Sequence, residues 1–143
     1  MSDPPRLWMM DANVILRLLL QDNPDLSPKA DAIWDAVDEG RTMVRWDPVT
    51  LTEVVYVLTS RYRLPRERIS EALLPLLLMP NVVIPGKDRY VHALRLFASE
   101  VPHFGDACLC AAALEASEGR ILSFDRKLPR APGIRRAEDL SGE

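Results

Sequence analysis

Apolar and polar positions change their spacing several times along the chain, and each change marks an element. Residues 6–10 form a short apolar run ending at Asp11, after which Ile15, Leu18 and Leu19 recur at helical spacing. A strand therefore runs straight into a helix. Ser27 as cap and Pro28 at the first position predict a second helix, stopping near Gly40, where glycine accepts a left-handed backbone. Residues 42–46 are β-branched and aromatic enough for a second strand. Asp47-Pro48 opens a third helix reaching to about residue 63, and Pro65 opens a fourth that Pro75 should bend or end early. Residues 81–84 read as a third strand, 87–101 as a helix, 105–118 as a small-residue helix, and 120–124 as a fourth strand ending at Asp125. Gly119 suits the stop between the last two, and residues 133–135 add a short edge strand.

Strands of four or five residues separated by helices cannot pair through hairpins. The economical solution is an α/β fold with a mostly parallel sheet and helices on both faces. With 48% hydrophobic residues in 143, the chain supplies the core of one ordinary domain spanning residues 1–143, with 1–5 and 141–143 as loose ends. The formal net charge of −3 argues against a protein that coats nucleic acid by charge alone, but not against an enzyme that brings its own cations. Cys108 and Cys110 stand two apart in a predicted helix, pointing about 200° away from each other, which fits free thiols in a reduced, cytoplasmic setting. The first ten residues lack the apolar core of a signal peptide. The longest apolar stretch, 73–79, is too short to span a bilayer and contains Pro75, so a soluble protein is expected.

Four acidic residues are the candidate chemistry. Asp11 and Asp125 each follow a strand, and Asp106 opens a helix, positions at which capping is a sufficient structural explanation for an aspartate. Glu53 has no such explanation. It is the only charged side chain in residues 48–60, where Leu51, Val54, Val55, Leu58 and Tyr62 form a core stripe and Val49, Tyr56 and Val57 flank Glu53 on the far side. An apolar surface nearly all round predicts a sandwiched helix, in which an unpartnered carboxylate costs several kcal/mol and so calls for a cation. Parallel strands put all their carboxyl ends, and the starts of the following helices, on one edge where such folds bind ligands. All four acids are thus expected in one crevice. Each close pair would repel by about 4 kcal/mol at 4 Å with an effective dielectric near 20, a penalty that divalent ions remove. With no Cys or His in the set, Mg²⁺ or Mn²⁺ is favoured over zinc, and such sites hydrolyse phosphodiesters with a metal-activated water.

The motifs Met10-Asp11-Ala12-Asn13-Val14-Ile15-Leu16, Thr52-Glu53-Val54, Phe104-Gly105-Asp106-Ala107 and Ser123-Phe124-Asp125-Arg126, in this order and spacing, resemble the PIN-domain ribonucleases. The short single-domain form is similar to the VapC-type toxins of type II toxin–antitoxin pairs. The resemblance covers roughly residues 8–140. It implies a three-layer α/β/α sandwich with a mostly parallel sheet of four or five strands, and a metal-dependent endoribonuclease in which Asp11, Glu53, Asp106 and Asp125 hold one or two Mg²⁺ or Mn²⁺ ions. It further implies that Asn13 supports Asp11 by hydrogen bonding, that Ser123 is a hydroxyl beside the metals, and that the protein forms a homodimer held inactive by a small antitoxin. Lys127 departs from relatives with a further acid two positions after the last aspartate, which puts the second metal position in question.

Arg126, Lys127, Arg130, Arg135 and Arg136 form a basic segment beside Asp125, a candidate contact for RNA phosphates or simply a solvated surface. Arg17 is a further candidate. His92 and His103 are not needed as bases where a metal-bound water serves, and Trp34, Trp46 and Tyr56 read as core rather than as base-stacking residues. Two other readings remain. A receiver-like signalling module needs an acidic pair beside the phosphoacceptor and a late-strand lysine, and neither is evident. A non-catalytic PIN-like binding module would be expected to lack one or more of the four acids.

Overall fold

The computed structural model describes residues 3–128 and 131–142. The chain enters through β1 (Leu7–Met9) and turns at Asp11 into α1 (Ala12–Leu20), which ends on Gln21 in the left-handed conformation, φ 50°. α2 (Leu26–Asp38) starts earlier than Ser27 and Pro28 suggest. The Asn23 side chain accepts the backbone N–H groups of Asp25 at 3.0 Å and Leu26 at 2.8 Å, so the helix is already capped one turn upstream. Ser27 is instead buried, and its hydroxyl donates to the Arg17 carbonyl at 2.9 Å, pinning α2 to the last turn of α1. Gly40, at φ 76°, turns the chain out of α2 as expected.

β2 (Met43–Arg45) leads into α3 (Pro48–Ser60), followed by α4 (Arg66–Leu77), β3 (Val82–Val83), α5 (Lys87–Ser99), α6 (Phe104–Ala116), β4 (Arg120–Leu122) and β5 (Arg135–Ala137). Pro75 is tolerated only near the end of α4, which stops two residues later. β5 begins at Arg135 rather than 133, because Gly133 sits at φ 85° in the preceding turn.

All strand pairs are parallel, and the class is the α/β/α arrangement expected. The pairing is more divided than one continuous sheet. β2 lies between β1 and β3, with Trp8 opposite Val44 and Val44 opposite Val82, while β4 and β5 pair separately, Ile121 opposite Arg136. β1 and β4 thus each end a sheet. α1 packs on α2, α5 packs between α4 and α6, and α3 touches α1, α4 and α6. The core gathers where these meet: Trp46, Ile15, Leu51, Leu58, Ile69, Leu73 and Leu94 are fully buried, each contributing roughly 1.5–3 kcal/mol. Trp34 meets Trp46 edge-on with ring centres 5.9 Å apart. No helix of the described residues is long and apolar enough to cross a membrane.

Candidate functional site

The carboxyl ends of the parallel strands and the starts of the helices carry the acids, as the connectivity requires. Asp11 lies between β1 and α1 with an extended backbone, φ −79° and ψ 149°, and makes no side-chain cap hydrogen bond. Capping therefore does not account for it, and its carboxylate is exposed at the rim of a cleft of about 500 Å³ shared with Trp8, Val14 and Ile33. Asp47, between β2 and α3, has the same backbone angles and likewise no cap bond. This fifth carboxylate at the same edge was visible in the sequence as a second strand-then-Asp step, hidden behind the helix-opening reading of Asp47-Pro48.

Glu53 corrects the sandwiched-helix expectation. Leu51, Val54, Val55 and Leu58 are buried, as the wheel predicts, but Val49 is 78% and Tyr56 70% exposed, and Glu53 lies in the open between them. No desolvation penalty acts on its carboxylate. Tyr62 leaves the stripe because α3 ends at Ser60; its hydroxyl donates to Asp22 at 3.2 Å.

Asp106 is half-buried in the first turn of α6, where the helix N-terminus favours a negative charge. The helix begins one residue earlier than expected, with His103 at the capping position. Below Asp106, burial first and the Asp106 charge second push the Cys110 thiol above its usual range, and burial pushes Cys108 up to about 11. Neither cysteine offers a thiolate near neutral pH, which leaves oxygen as the donor chemistry of this edge.

Asp125 is exposed after β4 and is used locally. Its carboxylate accepts the Lys127 N–H at 2.9 Å, and its own N–H donates to the Ser123 hydroxyl at 3.0 Å. Ser123 thus steadies Asp125. Asn13, exposed two residues from Asp11, makes no side-chain hydrogen bond among the described residues.

The helices carrying Asp11, Glu53 and Asp106 are joined through α3, which touches both α1 and α6, whereas Asp125 sits on the β4–β5 pair beyond α6. Among the described residues no group of three or more His, Cys, Asp or Glu side chains lies close enough to hold a metal ion. The donor chemistry suits a hard divalent cation, but the carboxylates as placed form no ready-made cage, and the expected meeting of all four in one crevice is not seen.

The candidate phosphate contacts are largely neutralised. Arg17 pairs with Asp22 at 3.0 Å, and Arg126 and Arg136 pair with Glu138 at 3.4 and 3.0 Å. Lys127 is exposed, and Arg130 lies outside the described residues. Trp34 and Trp46 are core, as expected; Tyr56 is not.

Against known proteins, the chain matches the family described as PIN domain over residues 9–134. The chain belongs to the PIN-domain family. That match encloses Asp11, Glu53, Asp106 and Asp125 together with Asn13 and Ser123. PIN domains are generally nucleases that use divalent metal ions, so nucleic acid is the partner class this fold suggests. No curated protein matches the chain.

Proposed function

We propose that this PIN domain is an Mg²⁺- or Mn²⁺-dependent endoribonuclease and the toxin of a toxin–antitoxin pair, working as a cytoplasmic homodimer restrained by a small antitoxin protein. The observation that carries the reading is the family match across residues 9–134, which holds all four acids in the expected order. It is supported by Asp11 and Glu53, exposed carboxylates that neither cap a helix nor pair with an arginine among the described residues. When bound, the cation would supply an activated water and neutralise charge at the scissile phosphate. The protein's own part is to present carboxylates from α1, α3, α6 and the end of β4; binding has to draw them together, since they stand apart as described. Purified protein with Mg²⁺ or Mn²⁺ should cleave RNA, and Asp11→Asn or Asp106→Asn should abolish cleavage while the circular dichroism spectrum stays unchanged. Full activity in those variants refutes the reading.

The separation of the carboxylates favours a second reading, a PIN-like module that binds without hydrolysis. Binding of RNA with no cleavage under either metal would establish it.

A further inference from the structure

Three aromatic side chains are more than half exposed, and each lies within three residues of a candidate acid. Trp8, 59% exposed, lines the cleft that holds Asp11; Tyr56, 70% exposed, lines a groove with Glu53; Phe124, 87% exposed, directly precedes Asp125. Phe104, the aromatic nearest Asp106, is buried against Phe97 instead. Exposed aromatics confined to the acid-bearing segments, while both other tryptophans are in the core, are not explained by packing. They offer flat apolar faces to a ligand.

Tyr56 has the most developed surroundings. It forms the wall between the Glu53 groove and a second hollow of about 320 Å³, lined by Thr52 and Ser60 of α3, by His103, and by Gly105 next to Asp106. That hollow lies between the helix carrying Glu53 and the start of the helix carrying Asp106. It is roomy enough for a single nucleobase, and its lining mixes an aromatic face with hydroxyls and an imidazole, the combination that holds a planar polar ring.

Charge points the same way. A net charge of −3, with Arg17, Arg126 and Arg136 all held by carboxylates, leaves little cation to track phosphates. Affinity then has to come from the bases, and bases are available for stacking only where they are unpaired. We propose that Tyr56 is a substrate-binding residue that stacks on an unpaired base of single-stranded RNA in the hollow beside His103, with Phe124 stacking a second base next to Asp125. This rests on the ribonuclease reading of the same edge and names how that edge selects its substrate.

The experiment measures binding in EDTA, so that cleavage plays no part, using fluorescence anisotropy with a labelled ten-nucleotide single-stranded RNA and a blunt duplex of the same composition. The single strand should bind at least about tenfold more tightly than the duplex. Tyr56→Ala should weaken single-strand binding by about 5- to 100-fold and leave duplex binding unchanged, as expected for one stacked base. Tyr56→Phe keeps the ring and should bind like the wild type; Phe124→Ala should show a loss of similar size. The salt dependence should be shallow, with log K against log salt falling by no more than about two units per unit, since few phosphates are neutralised. Equal binding of both probes, or Tyr56→Ala within twofold of the wild type, overturns the inference. Cleavage with Mg²⁺ separates the two claims. A wild type that cuts RNA while Tyr56→Ala binds normally leaves the nuclease and removes the stacking role, whereas binding that depends on Tyr56 without any cutting does the reverse.

Discussion

Replacing Gly119 with alanine tests how β4, and with it Asp125, is held. Gly119 sits at φ 82°, and a methyl group there would overlap the carbonyl oxygen of Gly133 and lie 2.9 Å from its carbonyl carbon. The left-handed backbone alone costs an alanine about 1–2 kcal/mol. The overlap is with backbone, which cannot rotate away, so the two segments must part. Parting them breaks the hydrogen bond from Arg135 N–H to the Gly119 carbonyl, 2.8 Å long, a further loss of about 1 kcal/mol. The total is about 3 kcal/mol, which for a domain of this size lowers the melting temperature by roughly 6–12 °C. Gly105→Ala is the control, because a Cβ there meets nothing within 4 Å and lies in the first turn of α6. It should be neutral or slightly stabilising. Calorimetry of the two variants reads both values. A Gly119→Ala protein melting within 2 °C of the wild type would show that the Gly119–Gly133 approach does not constrain β4.

Other predictions follow from the same coordinates. Trp46→Ala removes a fully buried ring that abuts Trp34 and should cost about 3–5 kcal/mol, measured by urea titration; a loss below about 1 kcal/mol would mean that the core closes over the gap. Saturating Mn²⁺ should raise the melting temperature, by linkage of about 2.7 kcal/mol at a hundred times its dissociation constant, and Asp11→Asn should erase that rise; an unchanged rise would locate the ion elsewhere. Glu115 is held below its usual 4.5, first by its hydrogen bond from Arg89, so its contribution to stability is present above pH 4.5 and is lost as pH falls through the lower folded value. Melting curves from pH 7 down to pH 3 should therefore fall less steeply for Glu115→Gln than for the wild type, and identical slopes would remove the pair from the acid response.

Much of the fold was legible because punctuation residues act locally. Gly40 and Pro48 mark their boundaries through φ preferences and a missing N–H that no tertiary contact overrides, and the α3 stripe of Leu51, Val54, Val55 and Leu58 is buried as its spacing requires. Ser27 misled because two candidate caps stood four residues apart, and Asn23 reached the free N–H groups first. Parallel strand direction was readable from helix-length connections; which edges meet was not, since strands of two or three residues carry too little pattern to fix a neighbour. For the site, the edge that carries the acids followed from topology alone. The exposure of Glu53 did not, because an apolar flank such as Val49 and Tyr56 is no proof of cover. Nor did the fate of Arg17, whose capture by Asp22 depends on a turn conformation that sequence spacing leaves open.

The outer side of β1 has a consequence for how copies of the protein meet. A strand that ends its sheet leaves amide and carbonyl groups facing outward, a template for any extended chain, and here Leu7, Trp8 and Met9 make it adhesive as well. Pro4 and Pro5 stand just upstream, where the missing N–H groups stop added pairing, and the charge of Asp11 stands just downstream. Between those two stops only about three residues remain to zip, too few for a lasting cross-chain ladder. The chain can therefore keep a sticky margin without seeding fibres.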